Sequence, residues 1–147
     1  QFCFWNEEKR ILFSSDHVLD NVSPVIPTWS EQDVNPLQDY FDSLQALKPY
    51  EPHLVLPGHG EPIPDLHVRI EELRLGHIHR LEQISDILKK GEQTAAQIAL
   101  EIYGGDLRGF MVLLVLSSTV SRLNYLRGTG RVVSRVKDDG KIYYALI

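Results

Sequence analysis

Val55-Leu56-Pro57-Gly58-His59-Gly60 is a short apolar run that breaks into a turn carrying one imidazole between two glycines. Leu54 to Leu56 reads as a buried strand, and the glycines permit backbone angles that swing a side chain sharply out of it. A second stretch has the same form. Arg10 to Ser14 is an apolar run of strand length that ends at Ser15-Asp16-His17, so Asp16 and His59 each stand at a strand tip. Strand tips concentrate ligand and metal sites, because a rigid sheet fixes side chains that solvent still reaches. Asp oxygens and His nitrogens bind Zn, Mn or Fe, and one Asp can bridge two cations around a shared water. An Asp after a strand is equally the start of an Asx turn, and a His between glycines is equally a plain loop residue.

Outward from these two segments the chain alternates helices and loops. Residues 21–36 hold Pro24, Pro27 and Pro36 among Ser, Asn and Asp, which forbids a long helix and predicts an extended loop. Leu37, Tyr40, Phe41, Leu44 and Leu47 then recur at helical steps, so a helix is predicted from Pro36 to Lys48, ended by Pro49. Leu66, Ile70, Leu73, His77, Leu81, Ile84 and Leu88 form one stripe of a long helix from Asp65 to Lys90, closed by Gly91. Thr94 is a candidate N-cap for a short helix through Tyr103, and a third helix or helix pair is expected over Leu107 to Arg127. The tail alternates from Arg131 to Val136, turns at Asp138-Asp139-Gly140 and returns over Lys141 to Leu146 as a hairpin. Helix, helix, helix, hairpin is the order of a winged helix-turn-helix.

Bulk properties narrow the function classes. A length of 147 residues allows one domain or two small ones, and 43% hydrophobic with 24% charged residues excludes wholesale disorder. The single cysteine, Cys3, excludes a disulfide scaffold and a thiolate metal site, which points to a reducing, cytoplasmic compartment. The longest apolar run, Phe110 to Leu116, has seven residues and suits a buried helix, so a soluble protein without a membrane partner is expected. No signal peptide is expected either. The chain opens inside the apolar run Gln1 to Trp5 without an initiator Met, and it is read as the C-terminal part of something longer. Residues 1–90 carry 8 Lys/Arg against 15 Asp/Glu, whereas residues 91–147 carry 7 against 5, so the tail is the candidate for polyanion contact.

The wording of the two strand-tip segments resembles the later metal motifs of the metallo-β-lactamase superfamily. Leu12 to Leu19 is similar to the segment whose Asp bridges two metals, and Val55 to Gly60 to the Pro-Gly-His-Gly turn whose His binds one of them. The likeness extends through Asn35-Pro36-Leu37, Tyr40, Ser43-Leu44, Pro62-Ile63, Arg69, His77 and Arg80, in the branch of β-lactamase-like protein 2 and related thioesterases or nucleases. The resemblance implies an α/β fold: the C-terminal half of an αββα sandwich over residues 1–64, truncated, then a long helix and winged-helix domain over 65–147. It implies metal ligation by Asp16 and His59, two divalent cations per complete site with zinc as the default, and hydrolysis of a thioester, ester or phosphodiester. Two departures stand out. Ser15 occupies the place where the family commonly has Gly, and the family's His-x-His-x-Asp-His motif and its separate later His are absent. Five of the seven expected ligands are therefore missing from the chain, which predicts that the 147 residues alone are inactive and that an absent N-terminal half is their partner.

The alternative is a degenerate, metal-free relative whose winged helix binds nucleic acid or a partner protein. In that reading Arg122, Arg127, Arg131, Arg135, Lys137 and Lys141 contact phosphates, although Asn124 and Arg122 are the main base-edge candidates and Asp138-Asp139 puts acid at the wing tip. Homo-oligomerisation is a further candidate. His17 lines the pocket or packs against the loop, His77 is read as a partly buried imidazole, and His53, His67 and His79 as surface residues. Tyr40, Tyr143 and Tyr144 are read as core or hairpin residues, and Cys3 as a small buried hydrophobe.

Overall fold

The computed structural model describes residues 2–30 and 32–147; Gln1, in the opening apolar run, and Glu31, in the loop over 21–36, lie outside the described residues. β1 (Phe4–Asn6) and β2 (Ile11–Ser15) form an antiparallel pair with Phe4 opposite Phe13 and Trp5 opposite Leu12. β2 pairs in parallel with β3 (Leu54–Pro57), Leu12 opposite Val55, and the register slips between Phe13 and Ser15. Parallel strands need a long crossover, here containing α1 (Pro36–Leu47). Asn35 Oδ1 accepts the Gln38 N–H at 3.3 Å at the start of that helix, with Pro36 in its first turn. α2 (Leu66–Leu88) starts where Asp65 Oδ1 accepts the His67 and Val68 N–H groups at 2.9 and 3.0 Å.

Two compact units result: Gln1–Pro24 with Phe41–His77, and Val25–Tyr40 with Ile78–Ile147. In the first unit period-two alternation decides the sheet's faces. Leu12, Ser14 and Val55 are buried on one face, with Leu44, Ile70 and Leu73 also in the core. Phe4 and Phe13 lie on the other face, 68% and 46% exposed, in one row with Leu56. His77 is more deeply buried than its sequence position implied, 2% exposed, with its ring edge-on to Phe41 at 5.9 Å.

The second unit holds β4 (Gln93–Thr94), α3 (Ala95–Tyr103), α4 (Phe110–Gly128), β5 (Val132–Val136) and β6 (Ile142–Leu146), with the strands in the antiparallel order β4-β6-β5. Thr94 caps α3 through a full capping box: its hydroxyl accepts from the Gln97 N–H while the Gln97 side chain accepts from the Thr94 N–H. α4 is one helix and starts three residues after Leu107, because Gly109 takes a φ of +56° just ahead of it. Ile98, Leu123 and Leu126 are fully enclosed, and Tyr144 is buried on the hairpin. Among the described residues no helix is long and apolar enough to cross a membrane.

Candidate functional site

Parallel pairing puts the carboxyl ends of β2 and β3 at the same edge of the sheet, the edge where α/β architectures bind ligands. Asp16 and His59 meet there, 43 residues apart in sequence: His59 Nδ1 lies 2.6 Å from Asp16 Oδ1. Both remain open to solvent, with side-chain exposures of 78% for His59 and 40% for Asp16. Hydrogen bonding to a carboxylate places the proton on Nδ1, which leaves His59 Nε2 and Asp16 Oδ2 as donor atoms for a cation.

The turn backbone explains this approach. Gly58 N–H donates to the Ser15 carbonyl at 2.8 Å, and a Cβ on Gly58 would stand only 2.4 Å from Asp16 Oδ1. Only glycine lets the carboxylate lie against that strand end. Gly60 follows with φ +87°, the left-handed conformation its lack of a Cβ allows. Ser15 is itself left-handed at φ +51°, so a residue with a side chain occupies a position that favours glycine. The peptide turns there so that Asp16 leaves the sheet, and a serine accepts the strain.

The loop after Asp16 is anchored by residues whose part only the fold reveals. Buried Ser14 donates its hydroxyl to the Val18 carbonyl at 2.8 Å. Arg69, projecting from α2, donates through Nε to the Leu19 carbonyl at 2.7 Å and through Nη2 to the Val22 carbonyl at 3.0 Å, while its Nη1 pairs with Glu72 at 2.8 Å. One guanidinium thus pins the loop at two points. His17 Nε2 lies 3.1 Å from Ser43 Oγ on α1, and burial pulls the imidazole pKa below its ordinary value.

Oxygen and nitrogen donors at one solvent-accessible point suit a divalent cation, but among the described residues no group of three His, Cys, Asp or Glu side chains gathers to hold one. The Asp16–His59 pair therefore fits part of a metal site and not a whole one.

The basic tail is distributed differently. Arg122 donates to the Ser118 carbonyl and hydroxyl at 3.0 Å each, and Arg131 to the Ser85 hydroxyl at 3.1 Å. Arg135 and Lys137 both pair with Glu92, and Lys141 lies 3.2 Å from Asp139. Arg127 is exposed and makes no ion pair or side-chain hydrogen bond among the described residues.

No family model matches the chain. It is 28% identical over 134 residues to the probable metallo-hydrolase YqjP of Bacillus subtilis, a match covering 88% of this chain and 42% of that protein. The Caenorhabditis elegans β-lactamase-like protein 2 homolog is 29% identical over 103 residues, 69% of this chain and 32% of its own length. Among solved structures, a β-lactamase domain protein from Burkholderia ambifaria superposes with a TM-score of 0.92 at 31% identity, covering 99% of this chain and 44% of that one. A metallo-β-lactamase family protein from Thermus thermophilus gives 0.86 at 30% identity with the same coverages. The chain thus spans from 32% to 44% of the length of these relatives.

Proposed function

The chain belongs to the metallo-β-lactamase superfamily, and on that premise we propose that it supplies Asp16 and His59 to the metal site of a metal-dependent hydrolase completed by residues outside these 147. The observation that carries this reading is the 2.6 Å meeting of an imidazole and a carboxylate at the shared edge of two parallel strands. Two further features support it. Two donors are too few for a closed site, and the row Phe4-Phe13-Leu56 is a partly exposed apolar sheet face among the described residues.

A divalent cation, zinc by donor chemistry, supplies Lewis acidity and an activated water when bound. Asp16 contributes negative charge and, through Oδ1, fixes the His59 tautomer so that Nε2 presents its lone pair. Gly58 permits that contact, and Arg69 with Ser14 holds the loop so that the carboxylate keeps its place as substrate arrives. The reaction class is hydrolysis of a thioester, ester or phosphodiester in a small molecule or a nucleic acid. Residues 65–147 act as a long helix and winged-helix appendage of that enzyme.

The test is metal content by elemental analysis and turnover of model thioesters, esters and phosphodiesters in the longer protein that contains this chain. Asp16→Ala or His59→Ala should lower turnover about a hundredfold or more while preserving thermal unfolding. Full activity in Asp16→Ala would overturn the assignment. The 147-residue chain alone should hold little metal and show no turnover.

A further inference from the structure

One groove of about 450 Å³ in the second unit gathers hydrogen-bond donors with no carboxylate among its described lining residues. Arg127 and Asn124 reach it from α4, Asn35 from the chain just before α1, and Ser134 from β5, while Val132 and Val133 supply apolar wall. Asn124 and Arg127 are three residues apart and share one helix face. Arg127 makes no ion pair or side-chain hydrogen bond among the described residues, whereas Arg122, Arg131, Arg135, Lys137 and Lys141 pair with Ser118, Ser85, Glu92 or Asp139. Asn35 uses its Oδ1 on the Gln38 N–H, so its Nδ2 hydrogens are left for the groove. That Nδ2 sits 3.1 Å from where a Cβ on residue 128 would lie, so the carboxamide rests close against the end of α4.

A guanidinium fork with two carboxamides and a hydroxyl complements an anion that offers several acceptor oxygens. A phosphoryl group has three, and arginine's planar fork matches two of them at once. An adjoining hollow of about 540 Å³ shares Val34, Asn124 and Arg127 and adds the indole of Trp29, which is 58% exposed, and Ile142. Its one acid among the described residues, Asp33, accepts the Trp29 and Ser30 N–H groups at 2.7 and 2.8 Å, and these bonds hold its carboxyl below the usual range. We propose that Arg127, Asn124, Asn35 and Ser134 bind the phosphoryl group of a small phosphate monoester whose apolar body lies toward Trp29.

Phenyl phosphate is the probe, titrated into the protein by calorimetry with Trp29 and Asn side-chain resonances followed by NMR. Saturable binding should weaken about tenfold or more in Arg127→Leu, the scale expected for losing charge-assisted hydrogen bonds. Asn124→Asp, which adds a carboxylate to the groove at nearly constant volume, should abolish it. Arg108→Leu, which removes a cation paired with Asp106, should leave it unchanged. Thermal unfolding of the variants near that of the parent establishes that they are folded. Equal binding in Arg127→Leu, or benzoate binding as well as phenyl phosphate, overturns the proposal. Oligonucleotides that bind far more tightly than phenyl phosphate, and lose that binding in Arg127→Leu, overturn the small-ligand assignment and identify the phosphoryl source as a nucleic-acid backbone.

Discussion

A methyl group at residue 58 probes how the two strand tips are held together. An ideal Cβ there stands 2.4 Å from Asp16 Oδ1, 3.2 Å from the Ser15 carbonyl carbon and 3.3 Å from Asp16 N. Carbon–oxygen contacts normally begin at about 3.3 Å, so the overlap is close to a full ångström. Backbone retreat is closed off by the two neighbouring backbone atoms and by the 2.8 Å bond from Gly58 N–H to the Ser15 carbonyl. The remaining escape is rotation of the Asp16 carboxylate, which breaks its 2.6 Å bond to His59. Once the exposed carboxylate has turned away, the tight contacts to the Ser15 carbonyl carbon and Asp16 N remain, and at this open site they cost about 1 kcal/mol, the low end for overpacking. The Asp16–His59 bond, open to water at both ends, adds little to stability. Gly58→Ala should therefore lower Tm by only roughly 2–5 °C and change the His59 Nδ1 resonance in imidazole NMR. Gly105→Ala is the matched control, because nothing lies within 4 Å of its Cβ and its φ is ordinary; its Tm should hold or rise slightly. A Gly58→Ala protein with the parent Tm and an unshifted His59 resonance would refute the argument that residue 58 must be glycine for the carboxylate to lie there.

Ser15→Gly relieves left-handed strain of about 1–2 kcal/mol, partly offset by the added freedom of the unfolded chain, so thermal unfolding should show Tm unchanged or slightly higher. Ser15→Val should lower it, since a β-branched residue is worst at that φ; the opposite order would count against the strain. Thr94→Ala removes the capping box of α3 and should cost about 1 kcal/mol in urea unfolding, with an unchanged midpoint the contrary result. Burial raises the Tyr144 phenol pKa, so the folded state keeps a proton that the unfolded state releases. Its contribution is full below the unfolded pKa of about 10 and is lost as pH rises through the folded value, giving a downward slope of stability in alkali that Tyr144→Phe should reduce.

Much of the architecture is legible in the sequence because its signals are local. Proline at 36, the helical stripes over 37–47 and 66–88, the Thr94 cap and the turn at 138–140 each act within a few residues, and helices and a hairpin form where they indicate. β1 and the two-residue β4 are not legible in this way, because three residues near the chain's start and Gln93-Thr94 carry no periodicity of their own; both exist by pairing with a longer neighbour. The shorter span of α4 is settled by the backbone at Gly109, whose φ no composition rule assigns. Arg69 is visible in the sequence only as part of a resemblance. Its role as the anchor of the Asp16 loop depends on two carbonyls that lie 50 and 47 residues away in sequence.

From the sequence alone come the residue types at the two strand tips, because a strand's end and a Gly-His-Gly turn are written in adjacent letters. Tertiary structure decided that Asp16 and His59 share one edge. Either strand could have paired elsewhere or run antiparallel, which would send the two tips to opposite ends of the sheet; the parallel register of β2 on β3 brings them within 2.6 Å. It also set Arg135 and Lys137 against Glu92 and Lys141 against Asp139, while Arg127 faces a groove with no ion pair among the described residues. Charge can be counted along a chain, but its availability depends on which opposite charges the fold brings alongside.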